Sequence, residues 1–369
     1  MIINRVVLRH LRMELRTPFE TSFGRIKTRD SLLLEVFSEG LAGYGECVAD
    51  RDPGYSYETA QTAWHVLKDF LLPAVVGRDV SDAAAYQKAV ASIRGHPMAK
   101  ASFEMALWDL LGKMQNKPLR ELLGGSREQV EVGVSVGIQD SSQALVQTVG
   151  GYLAQGYRRI KIKIKPGRDV AEALAVRQAF PHIRLQVDAN SAYTLESAAA
   201  LLPLDDLDLL LIEQPLAEDD LWDHSRLQPR FRTALCLDES ILSRRHARQA
   251  IEMGACRIIN IKAGRVGGLS SAAAIHDECT ERGVPVWCGG MLETGVGRAS
   301  NLALASLPGF SLPGDISASN RYYVEDITEQ SFTLNTDSTI RVPTGPGLGV
   351  SLNQGALQRA TLDRLEIKP

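Results

Sequence analysis

The sequence RIKIKI at residues 159–164 is the first of five similar runs, followed by RLQVDAN (184–190), LDLLLIEQP (207–215), ALCLDES (234–240) and CRIINIK (256–262). Each run is short and rich in branched apolar residues, and a stretch with helical periodicity follows it. Apolar strands that alternate with helices are typical of a parallel sheet whose outer face the helices cover. The pattern therefore predicts a series of strand–helix units.

Three more strand candidates lengthen this series: EVGVSVGI (131–138) precedes it, and VPVWCGG (284–290) and FSLPGD (310–315) follow it. Eight strands with seven intervening helices predict a (β/α)8 barrel of the TIM-like type, in a short and modified form. A doubly wound open sheet is the structural alternative, but no GxGxxG turn follows the first strand. We therefore expect an α/β barrel over residues 126–324.

The first third of the chain has a mixed α+β character. Residues 1–16 and 31–48 predict strands, and Glu39-Gly40 predicts the turn of a hairpin. We predict an α+β capping domain over residues 1–125, completed by a C-terminal segment of about 325–369. Its expected helices lie near residues 57–75, 81–94 and 98–115.

Composition excludes several classes of protein. The 369 residues are 44% hydrophobic, and 41 Lys and Arg against 44 Asp and Glu leave a formal net charge of -3. This balance argues against a nucleic-acid binder, and no apolar run approaches the ~18 residues of a membrane span. The five cysteines have no CxxC spacing, which indicates reduced thiols. We expect a cytoplasmic protein without nucleic-acid or membrane partners.

Charged residues occur at the ends of five consecutive strand candidates. Lys163, Asp188, Glu213, Asp238 and Lys262 are 25, 25, 25 and 24 residues apart, one strand–helix unit each. A charge at the end of a buried strand is costly unless it is paired or binds a ligand. All five would surround one mouth of the barrel, where barrel active sites are built. The alternative for each residue alone is a structural salt bridge.

The three central residues of this set indicate a metal site. Asp188, Glu213 and Asp238 would repel each other unless a cation lay among them. Oxygen ligands select a hard ion, and three carboxylates with room for water and substrate favour Mg²⁺ over Ca²⁺. Mn²⁺ is a possible substitute, and the absence of histidine at these strand ends argues against zinc.

The flanking lysines indicate proton transfer. Lys161 and Lys163 share one face of their strand, and Lys262 would approach a bound substrate from the opposite side. We expect a neighbouring cation to lower each base's pKa, with Lys161 acting on Lys163 and Arg265 acting on Lys262. A lysine would remove the proton α to a substrate carboxylate, and Mg²⁺ would stabilise the resulting enediolate. Bases on both faces allow racemisation, whereas a β-leaving group allows elimination.

The combined motifs resemble the signature of the enolase superfamily, in its muconate-lactonising-enzyme subgroup. They are Lys161-Ile162-Lys163, Asp188-Ala189-Asn190, Glu213-Gln214-Pro215, Asp238-Glu239-Ser240 and Lys262. The helix KASFEMALWDLLGK (100–113) is similar to that superfamily's cap helix. Residues 286–319 resemble the group of o-succinylbenzoate synthases and N-acylamino acid racemases.

The resemblance implies roles for particular residues. Asp188, Glu213 and Asp238 would bind the metal, Lys163 and Lys262 would be the acid–base pair, and Lys161 would tune Lys163. Two cap loops, residues 17–24 and 50–57, would close over the substrate, and the family implies a homo-oligomer. The residues expected to line the pocket are Phe19, Phe23, Ser135, Asn190, Gly290, Met291 and Glu293.

The resemblance also implies the reaction. The favoured activity is dehydration of a cyclohexadiene carboxylate to o-succinylbenzoate, a step toward menaquinone, and racemisation of N-succinylamino acids is the second. A muconate-type cycloisomerase or a dipeptide epimerase is a further alternative, and a non-catalytic barrel is the remote one. Mandelate-racemase-like relatives carry histidine where this chain has Cys288-Gly289-Gly290. Dipeptide epimerases carry an Asp-x-Asp motif where this chain has Asp315 alone.

Overall fold

The structure, a computed structural model, describes residues 1–369. Its strands are β1 (Arg5–Thr21), β2 (Gly24–Ser38), β3 (Leu41–Cys47), β4 (Gln129–Glu131), β5 (Val134–Val136), β6 (Arg159–Lys163), β7 (Arg184–Asp188), β8 (Ile212–Glu213), β9 (Leu235–Leu237), β10 (Ile258–Ile261), β11 (Val286–Cys288), β12 (Thr339–Arg341) and β13 (Thr361–Ile367). Its α-helices are α1 (Ala60–Val66), α2 (Ala83–Ala89), α3 (Pro97–Met114), α4 (Leu119–Leu122), α5 (Ser142–Ala154), α6 (Val170–Ala179), α7 (Leu221–Leu227), α8 (Arg244–Glu252), α9 (Leu269–Glu281), α10 (Gly295–Ala305) and α11 (Gln354–Ala360).

An antiparallel sheet and the long helix α3 form the cap. The sheet has the order β13-β1-β2-β3, and the predicted turn at Glu39-Gly40 joins β2 to β3. Both turn residues have positive φ, 51° and 79°, which the glycine adopts without steric cost. Phe103, Leu107 and Leu110 of α3 are fully buried in a core shared with this sheet. The cap is therefore α+β, as predicted.

Seven parallel strands form the barrel sheet in the order β11-β10-β9-β8-β7-β6-β5. Chain order and spatial order agree throughout, as a barrel of repeated strand–helix units requires. The predicted eighth strand, residues 310–315, contributes only isolated bridges, from Phe310 to Val286 and from Gly314 to Val132. Pro313 lacks a backbone N–H, so this segment cannot form a full ladder. The modified barrel with an N-terminal cap is confirmed.

The first predicted barrel strand is also shorter than expected. Only Val134–Val136 pairs with β6, whereas Gln129–Glu131 turns away to pair with β12 in an antiparallel ribbon. Because β12 joins β4 in this ribbon, residues 339–341 contact the segment that opens the predicted barrel range. The division at residues 125 and 324 stays a prediction. No helix in the structure is both long enough and apolar enough to span a bilayer.

The β1–β2 hairpin brings the cap to the barrel mouth. Residues 17–24 were expected to form a loop, but β1 continues to Thr21 and β2 begins at Gly24. The register shifts between Glu14 and Phe19, where Pro18 interrupts the ladder without ending the strand. At the hairpin end, Ser22 Oγ donates to the carbonyl of Asn190 at 3.0 Å. The hairpin therefore lies directly against the ends of the barrel strands.

Candidate active site

Strand register places the charged strand ends side by side. Lys163 pairs with Asp188, and Asp188 pairs with Glu213 on the next strand. Asp188, Glu213 and Asp238 are fully buried, and Lys262 follows β10 with 6% of its surface exposed. The structure therefore brings together all five residues that the spacing predicted, at one end of the barrel.

Lysines lie among the carboxylates on one side of this group. Lys161 Nζ lies 2.6 Å from Asp315, 2.9 Å from Glu213 and 3.2 Å from Asp188. Lys163 Nζ donates to Asp188 and to Asn190 Oδ1, each at 2.7 Å. The carboxylates are thus neutralised by ammonium groups, so their clustering does not by itself require a metal.

The other side of the group centres on Asp238. Lys262 Nζ donates to Asp238 Oδ2 at 2.7 Å, and Arg265 forms an ion pair with the second oxygen. The hydroxyl of Tyr55, from the cap, donates to that second oxygen at 3.0 Å and accepts from Lys262 at 3.1 Å. Arg265 therefore lies beside Lys262, where the sequence placed it, and a cap residue completes the network.

The pKa values follow from burial and these ion pairs. Burial lowers the pKa of Lys161, but Asp315, Glu213 and Asp188 outweigh it and raise that pKa. Burial also lowers the pKa of Lys262, and here Tyr55 and acidic neighbours raise it by more. The protein groups on their own therefore raise the Lys262 pKa, and the expected lowering beside a bound cation stays a prediction.

Two carboxyl groups of the site have pKa values that are shifted in opposite directions. Burial raises the pKa of Glu239 to about 7, and the nearby charge of Asp188 adds to the rise. Burial would also raise the pKa of Asp188, but Lys163 and Lys161 lower it below its usual range. Glu239 Oε2 has no hydrogen-bond partner, although Asn190 donates to Glu239 Oε1 at 2.9 Å. The site therefore holds one buried carboxylate oxygen that is free to accept a ligand.

The donor set is compatible with a hard divalent cation. It offers three fully buried carboxylates at adjacent strand ends, namely Asp188, Glu213 and Asp238, and the free oxygen of Glu239 nearby. Oxygen donors of this type suit Mg²⁺ or Mn²⁺. No three acidic, histidine or cysteine side chains converge on one point, because lysines and Arg265 hold the carboxylates. The residues therefore fit the ion by the chemistry of their donor atoms, and the three carboxylates lie at adjacent strand ends without converging on a common point.

A cavity of about 450 Å³ opens between the cap and the barrel mouth, within the range of small-molecule sites. Glu293 does not line it, contrary to expectation. Its carboxylate instead accepts from the backbone N–H of Met291 at 2.8 Å and from Asn301 at 2.9 Å, so it anchors the loop from behind. The predicted residues that do line the cavity are Phe19, Phe23, Ser135, Lys161, Lys163, Asn190, Lys262, Gly290 and Met291.

Sequence reasoning assigned no individual role to several residues that shape the site. Tyr55 belongs to the predicted loop 50–57, whose aromatic content was the only signal for it. Asp315 is a lone acid in its sequence motif, and the structure pairs it with both Lys161 and Arg159 at 2.6 Å. Gln214 has φ 38° and its side chain accepts from the Asp238 N–H at 2.9 Å. A positive φ in a non-glycine residue is costly, and such residues concentrate at functional sites.

The fold and this site define a class of enzyme: an α/β barrel whose strand ends carry acid–base groups beneath a cap. A family model described as the N-terminal domain of mandelate racemase and muconate lactonizing enzyme matches residues 3–124. A second model, described as enolase C-terminal domain-like, matches residues 144–356. The chain belongs to the enolase superfamily. Members of this superfamily generally use a divalent metal in their active sites.

Similar proteins cover almost the whole chain. An o-succinylbenzoate synthase of Geobacillus kaustophilus is 52% identical over 360 residues, 97% of this chain and 96% of its own. An N-succinylamino acid racemase of Thermus thermophilus is 49% identical over 362 residues, 98% of each chain. The crystal structure of an enolase-superfamily member from Listeria innocua superposes with a TM-score of 0.95 at 43% identity, covering 100% of this chain and 99% of that one. The resemblance drawn from the motifs is confirmed.

Proposed function

We propose that this enzyme removes a proton α to a substrate carboxylate in a Mg²⁺-dependent reaction. Its main reaction would be dehydration of a cyclohexadiene carboxylate to o-succinylbenzoate, a step toward menaquinone. The observation that supports this chemistry is the placement of Lys163 and Lys262. Both line one cavity, and they lie at opposite ends of the cluster of three carboxylates. The relative named o-succinylbenzoate synthase at 52% identity supports the choice of reaction.

Asp188, Glu213 and Asp238 would hold the Mg²⁺, with Mn²⁺ as the alternative ion. When bound, the ion supplies positive charge that offsets the negative charge developing on the substrate carboxylate. Lys161 contacts two of these carboxylates and stays charged, so it fixes their positions. Its proposed role is therefore to orient the ligands and to act electrostatically on Lys163.

The lysines would move the protons. Lys163 takes the α-proton in its neutral form and then donates it to the departing hydroxyl, which leaves as water. Asn190 Oδ1, 2.7 Å from Lys163 Nζ, orients this nitrogen. Lys262 stays protonated and stabilises the electron-rich ring by its positive charge, with Arg265 held beside it.

Other lining residues would bind and shield the substrate. Ser135 is 5% exposed and its hydroxyl has no partner, so it is available to donate to a substrate oxygen. Phe19 and Phe23 come from the hairpin, and Gly290 and Met291 come from the loop after β11. A closed cap of this type excludes water from the reacting groups.

Racemisation of N-succinylamino acids is the second candidate. Relatives from Thermus thermophilus and Amycolatopsis, 49% and 50% identical, carry the name N-succinylamino acid racemase. Lys163 and Lys262 would each serve one face of the planar intermediate, so both reactions use the same groups. Structures named as a muconate lactonizing enzyme and a dipeptide epimerase share 24% and 27% identity, so those activities are less favoured.

The test is loss of the cyclohexadiene ultraviolet absorbance with purified enzyme, with Mg²⁺ present and then chelated. We expect rapid loss that stops on chelation, and Lys163→Ala should lower the rate by roughly 10²–10⁴ because it removes the base. Lys88→Ala, at an exposed position of α2, is the matched control and should keep full activity. Circular dichroism checks that both variants fold.

Absence of turnover in the folded, Mg²⁺-loaded enzyme would reject dehydration. Exchange of the α-proton of N-succinylamino acids in D₂O would then assign the racemase. Full activity of Lys163→Ala in both assays would overturn the assignment of the base.

The proposal extends to location and assembly. All five cysteines are buried and unpaired, which suits a reducing compartment such as the cytoplasm. The partner is a small-molecule carboxylate. A homo-oligomeric state and the absence of a nucleic-acid partner stay predictions.

A further inference from the structure

Both proposed substrates carry a second carboxylate, at the far end of the succinyl group. We propose that Arg25 binds this distal carboxylate and so determines the preference for succinyl over uncharged acyl groups. This inference rests on the proposed function, since it assigns a residue to the part of the substrate that does not react.

Five cationic side chains line the cavity, and four of them already have close ion-pair partners. Lys161, Lys163 and Lys262 are paired with the strand-end carboxylates at 2.6 to 2.7 Å. Arg29 is buried, lies 2.7 Å from Asp50 and donates to backbone carbonyls. These four groups are held at the base and wall of the cavity and are not available to a distal anion.

Arg25 differs from the other four cationic side chains because it has no close ion-pair partner. It follows Gly24 at the end of the β1–β2 hairpin, and its side chain is 52% exposed. Its acidic contact is Asp140 at 3.8 Å, and that carboxylate is 91% exposed, so the pair is long and weak. Glu20, its cross-strand neighbour, is bound to Lys165 at 3.1 Å. A guanidinium that lines the cavity is therefore left without a strong partner.

The surroundings of Arg25 suit an acyl chain that ends in a carboxylate. Phe23 and Ile26 line the same part of the hairpin and offer apolar surface to methylene groups. Asp52, an acid that also lines the cavity, is paired with Arg51 at 3.2 Å, which reduces its repulsion of an anion. Guanidinium and carboxylate groups match in planar, bidentate geometry, and this supplies direction as well as attraction.

The test compares two ligands of equal length, N-succinyl-phenylalanine and N-butyryl-phenylalanine, which differ by a carboxylate in place of a methyl group. Arg25→Met should weaken succinyl binding about tenfold, measured as KM and as Kd by calorimetry, and leave butyryl binding unchanged. Arg25→Lys should recover part of the loss. Lys27→Met removes the same charge from the same hairpin outside the cavity lining, and it should behave as wild type.

The outcomes separate this proposal from the proposed function. Equal weakening of both ligands in Arg25→Met, or no weakening of the succinyl ligand, would overturn the role of Arg25. If the wild-type enzyme converts neither ligand, calorimetry still measures the succinyl preference and its dependence on Arg25. Absence of turnover of N-succinyl-phenylalanine would count against the racemase reaction, whereas a succinyl preference that does not depend on Arg25 would count against Arg25.

Discussion

Tyr55 is a cap residue that forms hydrogen bonds with the acid–base groups. Its hydroxyl bonds Asp238, Lys262 and Arg265, and its ring lies 4.4 Å from Lys262 Nζ. Burial raises its pKa, so the phenol stays protonated and can donate to Asp238. The loop that carries Tyr55 therefore gives Lys262 a second hydrogen-bond partner besides Asp238.

Removal of the Tyr55 hydroxyl should affect the orientation of Lys262 but not the binding of substrate. In Tyr55→Phe we expect kcat to fall by roughly tenfold while KM changes little, because the hydroxyl that forms hydrogen bonds with charged partners is lost. Tyr57→Phe changes an exposed residue of the same loop and should have no effect. Steady-state kinetics of both variants decides the point; an equal fall in the two, or none in Tyr55→Phe, would contradict it.

The residues that were predicted well are those whose position depends only on the regular spacing of the strand–helix units. Lys163, Asp188, Glu213 and Lys262 follow from spacing, since each closes one strand–helix unit. Glu293 was placed wrongly because the sequence does not show that its carboxylate turns back to the Met291 N–H. The role of Tyr55 depends on a loop 183 positions before Asp238, a contact that no local pattern encodes.

At the scale of elements, α3 approaches the cap sheet closely because two glycines of β3 face it. A Cβ at Gly45 would overlap the Ser102 carbonyl and lie 2.7 Å from the Ala106 nitrogen. Gly43 faces Ala106 and Leu110 in the same way. Backbone atoms of a helix cannot move aside as a flexible side chain can, so these positions accept only glycine.

Gly45→Ala should therefore destabilise the protein by about 1–3 kcal/mol, the usual cost of overpacking. Gly151→Ala in α5 is the matched control, because nothing lies within 4 Å of its added Cβ. That variant should gain about 0.5–1 kcal/mol from lower flexibility of the unfolded chain. Denaturant unfolding of the two variants, monitored by circular dichroism, gives both values, and a stable Gly45→Ala would show that α3 can shift.

Element boundaries were the least accurate part of the sequence interpretation. Residues 17–24 contain proline and glycine and were expected to form a loop, yet hydrogen bonding to β2 carries the strand to Thr21. The segment 310–315 looked like a strand by composition, but Pro313 prevents a continuous ladder. In the first case the partner strand decides the outcome, and a partner is not visible in a local window. In the second case a residue within the segment decides it.

At the scale of the molecule, two buried glutamates join the cap to the barrel. Glu46 of β3 accepts from the Thr294 hydroxyl at 2.7 Å and from the Gly297 N–H at 3.0 Å, at the start of α10. Glu104 of α3 accepts from the Ser270 N–H at 3.3 Å, at the start of α9. Burial raises the pKa of each to about 7.

These two groups should make stability fall as pH rises. A carboxyl group whose pKa rises from 4.5 unfolded to about 7 folded holds its proton more tightly in the native state. Its contribution is complete below about pH 4.5 and is lost as pH rises through about 7, with an upper bound of ~3 kcal/mol per group.

Glu46→Gln should therefore flatten the decline of Tm between about pH 5 and about pH 7.5, measured by calorimetry. Glu329→Gln alters an exposed glutamate and should leave the slope unchanged. An unchanged slope in Glu46→Gln would show that Glu46 does not titrate in this range.

The pairing of β1 with β13 has a consequence for biogenesis. Val6 lies opposite Ile367, so the two partners are 361 positions apart, 367 minus 6. A ribosome makes all barrel strands before residues 361–367, and contacts this distant in sequence form slowly. The sheet that holds the hairpin over the barrel mouth gains its outer strand only after that. In a nascent chain the cap sheet is therefore completed only after every barrel strand has been synthesised.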